Sequence, residues 1–169
     1  MKVTRLVLDD FRNISHIDVN FAGNVNVILG KNAQGKTNML ESVYLFSQGK
    51  SFRASRDRDL IRFNSVKSNL QMEFSTDKRE QLYEINLFSD KRRRIFLNEV
   101  EIKKYADMNG NFYTVLFAPE HLNLVKEGPS ERRKFLDIAI SSLKPRYFKA
   151  TEDYSRLLIH KNALLRDIH

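Results

Sequence analysis

Residues Ile28 to Tyr44 read ILGKNAQGKTNMLESVY, and the reading of this stretch decides the fold. Gly30, Lys31, Asn32, Ala33, Gln34, Gly35, Lys36 and Thr37 satisfy the pattern G-x-x-x-x-G-K-[ST] at every fixed position. A triphosphate presents several negative oxygens, which must be held without a large desolvation cost. Consecutive backbone N–H groups wrapped around the anion do this, and a helix starting near Lys36 adds its positive N-terminal end. Gly30 and Gly35 let the backbone turn and come close to the phosphates. The Lys36 ammonium is expected to reach the β- and γ-phosphates, and the Thr37 hydroxyl to take a position on Mg2+. Every residue from Gly30 to Thr37 is therefore a candidate cofactor ligand, and Thr37 is also the candidate metal ligand.

The flanks of the loop support this reading. The run VNVIL, Val25 to Leu29, is short, β-branched and ends at Gly30, as a buried strand would. From Lys36 to about Phe46, the apolar residues Met39, Leu40, Val43, Tyr44 and Phe46 recur at helical spacing. Upstream, Leu6, Val7 and Leu8 begin a strand, while Ile17, Val19 and Phe21 alternate as one face of a second. RNISH, Arg12 to His16, turns a hairpin between them.

Downstream the pattern changes. Leu70, Met72 and Phe74 alternate, then Tyr83, Ile85 and Leu87, with a polar connection between them. RIFLNEVEI reads as two short strands joined near Asn98-Glu99, so this region is an antiparallel meander. FYTVLF, Phe112 to Phe117, reads as a buried strand stopped by Ala118-Pro119. A simple kinase or GTPase shares the phosphate loop but usually follows it with alternating strands and helices. Here a basic segment, Ser47 to Asp59, and the meander follow instead.

Beyond Pro129 the chain reads as helical. Phe135, Leu136, Ala139, Ile140 and Leu143 form one stripe, and Pro145 ends or restarts the helix. Tyr147, Ala150, Thr151, Tyr154, Leu157, Leu158, Leu164, Leu165 and Ile168 then follow i, i+3, i+4, i+7 spacing, with Lys161 on the same stripe. No Gly, Asn or Pro stop signal follows, so the chain is expected to be cut inside an element. The aromatic residues of this last helix are read as core.

The totals fit a soluble globular protein: 169 residues, 41% hydrophobic and 30% charged. Twenty-nine Lys and Arg against 21 Asp and Glu give a net charge of +8, which favours polyanionic partners. There is no cysteine, which excludes disulfides, thiolate metal sites and cysteine nucleophiles. No run approaches the roughly 18 apolar residues of a membrane helix. The N-terminus MKVTRLVLDDFRN lacks the apolar stretch of a signal peptide, and a cytoplasmic location is expected. The histidines at 16, 121, 160 and 169 have no metal-ligand spacing.

Hydrolysis of a triphosphate would need a strand ending in an acid to hold Mg2+. LVLDD, Leu6 to Asp10, imitates it but precedes the loop and reads as an edge strand of a hairpin. VLFAPE, Val115 to Glu120, has no acid directly at its strand end. The catalytic residues therefore remain unassigned, and the acid is expected beyond residue 169. The 169 residues are expected to bind ATP at most, without hydrolysing it.

Four stretches together resemble the bacterial RecF family of recombination-repair ATPases, relatives of the SMC-like and ABC-type ATPases. They are LVLDDFRNI, GKNAQGKTNMLESVYLFSQGKSFR, RDRDLIRF and FAPEHLNLVKEGPSERRKFLD. In the last, Pro119, Gly128, Pro129, Arg132, Arg133, Phe135, Leu136 and Asp137 match the family's own signature. Glu127 departs from it, where a small residue is usual, and Ala33 replaces the Gly common in SMC-like loops.

The resemblance implies an α/β fold: an ABC-type ATPase lobe with a phosphate loop, a mixed sheet and an antiparallel meander, followed by helices that begin a helical lobe. On this reading 1–128 is an incomplete ATP-binding lobe and 129–169 is the start of the second. It implies ATP and Mg2+ as cofactors, an ATP-dependent homodimer with slow hydrolysis in the intact protein, and binding of double-stranded DNA. It also implies action with RecO and RecR at gap junctions, where RecA is loaded. Arg12 and Asn13 resemble positions that approach the nucleotide in relatives, and a hairpin turn with a surface arginine is the alternative.

Arg53, Arg56, Arg58 and Arg62 resemble a segment from which an arginine reaches nucleotide or senses DNA in relatives, or else form a solvated face. Lys91 to Arg94 reads either as a phosphate-contacting run or as an exposed hairpin edge kept soluble by charge. For Arg132 and Arg133 a structural or interlobe role is expected, since cations at a helix start oppose its dipole. Two other readings stand beside this one: an SMC-like ATPase whose last helix enters a coiled coil, and a basic docking module for DNA or protein with a vestigial loop.

Overall fold

The computed structural model describes residues 1–77, 79–103, 105–108, 110–118 and 128–166. Their contacts divide the chain into Met1–Thr114 and Val115–His169.

The first unit is built on one sheet. Its strands are β1 (Lys2–Phe11), β2 (Ile14–Asn20), β3 (Lys67–Ser75), β4 (Glu80–Phe88), β5 (Arg94–Leu97) and β6 (Val100–Glu101), in spatial order β2-β1-β3-β4-β5-β6. Every pairing among them is antiparallel. The alternation seen in the sequence becomes a face. Leu8 sits opposite Leu70, Leu70 opposite Ile85, Met72 opposite Tyr83, and Ile85 opposite Ile95. Leu6, Leu8, Leu70, Met72, Phe74, Tyr83, Ile85 and Leu87 are all fully buried on it. Burying side chains of this size stabilises by about 1.5–3 kcal/mol each.

The only α-helix described in this unit, α1 (Lys36–Gln48), packs on that face. Leu45 and Phe46 are fully buried, and the Phe46 ring lies 5.4 Å from that of Tyr83. Phe112 stacks edge-on against Phe74 at 5.1 Å. Gly49, at φ 57, ends the helix, its N–H bonding back to the Leu45 carbonyl. A short 3₁₀ turn, Asp57–Leu60, then buries Leu60 in the same core.

Several expectations are corrected. LVLDD is not an edge: β1 lies between β2 and β3, because its backbone is paired on both sides. Val25 to Leu29 forms no strand, and Val25, Val27 and Leu29 are 79%, 73% and 85% exposed. A strand needs a neighbour for its backbone, and no described segment pairs with this one. Phe112 to Phe117 also forms no strand: Phe112 is buried, but Val115 and Phe117 lie almost wholly in solvent.

The helix α1 buries more than its apolar stripe: Phe46 is in the core and Met39 and Val43 pack against it, but polar residues are buried with them. Glu41, Ser42 and Ser47 are buried beside Leu45 and Phe46, whereas Leu40 is half exposed. Partners make this possible: Ser42 donates to the Met39 carbonyl, and Glu41 is held by an ion pair described below. Met39 and Val43, which also pack against the core, line an open groove with Leu40, Val3, Phe21 and Ile28.

The second unit holds α2 (Pro129–Leu143) and α3 (Pro145–Arg166). Gly128 caps the first and Pro129 occupies its first turn, where a missing N–H costs nothing. The Tyr147 hydroxyl donates to Asp137 at 2.6 Å, joining the two helices. Their apolar stripe is not core: Phe135, Leu136, Leu143, Tyr154, Leu157, Leu164 and Leu165 are all substantially exposed, as nothing described covers them. Arg132 and Arg133 are exposed in α2. The signature positions Pro119 and Glu127, with Glu120, His121 and His169, lie outside the described residues.

Candidate nucleotide-binding site

Gly30 to Thr37 run from the extended segment before the loop into the first turn of α1. The loop's curvature is set by three residues with positive φ: Gly30 at 153°, Ala33 at 64° and Gly35 at 95°. Gly35 is the residue least open to change. A Cβ there would lie 3.0 Å from Ile14 Cγ1 and 3.1 Å from Asn13 Oδ1, so the hairpin turn occupies the space a side chain would need. At Gly30 a Cβ would meet nothing within 4 Å, so one side of the backbone is open to approach.

The helix start is free of competing groups. No side chain caps α1, and its first turn carries no acid. The first intrahelical bond runs from Met39 N–H to the Gly35 carbonyl, so the preceding N–H groups have no intrahelical acceptor. The Lys36 ammonium donates to the Gly30 carbonyl at 2.6 Å and to the Lys31 carbonyl at 2.7 Å. It thus closes the loop on itself and retains a third N–H for an anion. Thr37 is exposed on the first turn. Backbone donors, one ammonium and one hydroxyl make a set suited to a phosphate chain with its hard divalent cation. Among the described residues no cluster of three His, Cys, Asp or Glu forms a separate metal site.

Arg12 and Asn13, both at the β1–β2 turn, play different parts. Asn13 reaches the loop: its Nδ2 donates to the Ala33 carbonyl at 2.6 Å. Arg12 turns to α1. Its Nη2 and Nε donate to the two carboxylate oxygens of Glu41 at 2.6 and 3.0 Å, and its Nη1 to the Asp59 carbonyl at 2.7 Å. Glu41 is fully buried, and Ser51 also donates to it. Sequence reading missed Glu41. A carboxylate four residues before Leu45, on the same helical face as that core residue, was the available signal.

The basic segments separate in the same way. Arg53 donates to Asn38 at 3.0 Å and lies 3.7 Å from Glu41. Arg62 lies 3.5 Å from Asp10, and Asp9 pairs with His16 at 2.6 Å, so both LVLDD acids face basic partners. Arg93 donates to the Gly49 carbonyl at 2.6 Å and pairs with Asp57 at 3.0 Å. Lys91 sits over the Phe88 ring and Arg94 pairs with Glu101, whereas Arg92 is exposed.

A phosphate loop entering a helix that packs on a β-sheet, next to a meander, defines an ABC-type ATPase head. Residues 2–123 match the RecF/RecN/SMC N terminal domain, and the chain belongs to that family. It is 42% identical, over its whole length and 45% of the relative's, to the DNA replication and repair protein RecF of Clostridioides difficile (strain 630). A solved structure described as the recombination mediator protein RecF with ATP, in the RecFOR pathway, is 36% identical. It superposes with a TM-score of 0.91 over 99% of this chain and 45% of that one. An SMC ATPase structure, 20% identical, shares the fold with a TM-score of 0.67 over 82% of this chain and 99% of that one. The chain thus spans about half the length of the RecF relatives it matches.

Proposed function

We propose that this chain is the ATP-binding, N-terminal part of a RecF-type DNA-repair ATPase. The observation that carries the reading is the loop itself: Lys36 folded across the Gly30 and Lys31 carbonyls, with the uncapped start of α1 behind it. Gly30 to Thr37 hold the triphosphate, Lys36 neutralises its β- and γ-oxygens, and Thr37 is a ligand of Mg2+. The metal, when bound, withdraws charge from the phosphate oxygens. Asn13 supports the loop from the hairpin turn, and Arg12 anchors the helix behind it through Glu41. The net charge of +8 suits double-stranded DNA.

In the full-length protein this lobe dimerises around ATP and hydrolyses it slowly. It acts in the cytoplasm with RecO and RecR at gap junctions, where RecA is loaded; the repair and RecFOR-pathway names of its relatives support the repair role, and the remainder is what the family resemblance implies. No described helix is long and apolar enough to cross a membrane. Replacing Lys36 by Ala in the full-length protein should abolish both ATP-dependent dimerisation and DNA association, as measured by light scattering and by duplex titration. Dimerisation that persists unchanged at saturating ATP would overturn the proposal.

A further inference from the structure

Ala33 holds a left-handed conformation, φ 64, which costs an L residue about 1–2 kcal/mol unless something imposes it. The Asn13 amide does so by donating to the Ala33 carbonyl at 2.6 Å. The effect passes beyond that oxygen. A trans peptide points its C=O and the following N–H in opposite directions, and the described chain has no cis bond. Fixing the Ala33 carbonyl toward the hairpin turn therefore aims the Gln34 N–H away from it.

Asn13 is itself held. Asn38 Nδ2, on the first turn of α1, donates to Asn13 Oδ1 at 2.7 Å, and Arg53 Nη1 donates to Asn38 Oδ1 at 3.0 Å. A guanidinium only donates and a carbonyl only accepts, so the two amides between them have one permitted orientation each. The bare Gly35 keeps this path open, because a Cβ there would stand 3.1 Å from Asn13 Oδ1.

We infer that Arg53, Asn38 and Asn13 form a one-directional hydrogen-bond relay ending on the Ala33 carbonyl, in which Asn13 and Asn38 are positioning residues that set the shape of the phosphate loop without touching the nucleotide. This rests on the reading of Gly30 to Thr37 as a triphosphate site. The polarity gives the relay a sharp signature. In Asn38→Asp the new carboxylate still accepts from Arg53 and suits the helix N-terminus. It cannot donate, so Asn13 must turn its NH2 toward residue 38 and its oxygen toward the Ala33 carbonyl.

The test is a double-mutant cycle on the full-length protein, with titration of a fluorescent ATP analogue and Mg2+ alongside thermal melting. Asn38→Asp should weaken nucleotide binding about tenfold while leaving the melting temperature at or above that of the wild type. Asn13→Ala should weaken binding to a similar degree, and adding Asn38→Asp to it should change nothing further. Simple repulsion between the new carboxylate and the phosphates would persist in the Asn13→Ala background, so an equal loss in both backgrounds overturns the relay. Wild-type affinity in Asn38→Asp overturns it as well. A wild-type protein that binds no nucleotide would instead overturn the site reading on which the relay rests.

Discussion

Arg12 grips the buried Glu41 carboxylate with two donors at once, Nη2 at 2.6 Å and Nε at 3.0 Å. The partners are not equally buried: the Glu41 side chain is 0% exposed and that of Arg12 is 21% exposed. Removing the arginine leaves a buried carboxylate with only the Ser51 hydroxyl and Arg53 at 3.7 Å, while neutralising the glutamate leaves a guanidinium that solvent and the Asp59 carbonyl still serve. Arg12→Ala should therefore lower unfolding free energy by about 3 kcal/mol, and Glu41→Gln by clearly less. Urea denaturation of the two variants and of the double variant measures this. Equal losses in the single variants would contradict it.

The two loop glycines should respond differently. Gly35→Ala places a methyl group 3.0 Å from Ile14 in a left-handed backbone, whereas at Gly30 the new group meets nothing within 4 Å. Gly35→Ala should cost about 1–3 kcal/mol of stability together with most of the nucleotide affinity. Gly30→Ala, free of clashes but strained by its positive φ, should melt between the Gly35→Ala variant and the wild type. Melting curves and nucleotide titration on both variants check the order.

Tyr83 contributes to the alkaline limit. Burial, offset in part by the nearby Asn111 amide, pushes its phenol up to about 12. A group whose folded-state value is raised contributes fully below its unfolded value and loses that contribution as pH rises through the folded one. The window therefore runs from about 10 to about 12. Tyr83→Phe keeps the ring contacts with Phe46 and Phe74 and should stay within about 1 kcal/mol of wild type at neutral pH. Its unfolding at high pH, followed by circular dichroism, should begin later.

Arg92 and Arg93 are neighbours with different duties. Arg93 ties the end of α1 to the 3₁₀ turn through the Gly49 carbonyl and Asp57, so Arg93→Ala should cost about 2 kcal/mol. Arg92→Glu should leave melting unchanged and weaken duplex DNA binding by the full-length protein at low salt, with a shallower salt dependence. Unchanged duplex affinity in Arg92→Glu would place DNA elsewhere.

What could be read from the chain, and what could not, follows from the range of the forces involved. The meander was legible because Leu70, Met72 and Phe74 share one sheet face with Tyr83, Ile85 and Leu87 at a period of two, and a face needs no knowledge of its partner. The loop was legible because its chemistry is local. Val25 to Leu29 and Phe112 to Phe117 misled for the opposite reason: apolar β-branched sequence states a preference, but a strand exists only when another backbone lies beside it. The stripe of α1 was incomplete because Glu41 is buried by a partner far away in sequence. Arg12 stands 29 residues from Glu41, a spacing that no periodicity reveals.

That buried carboxylate also couples three stretches of the chain. α1 can coil on its own sequence, but until the hairpin turn delivers Arg12 and the stretch after the helix delivers Ser51, the face it must bury carries an unpaired charge. Docking of the helix is thus coupled to contacts that close one short and one longer loop of chain, 10 and 29 residues apart. A nascent or partly opened chain would therefore have its phosphate loop in sequence before it had the loop in shape, and nucleotide would be held only by molecules in which all three stretches have met.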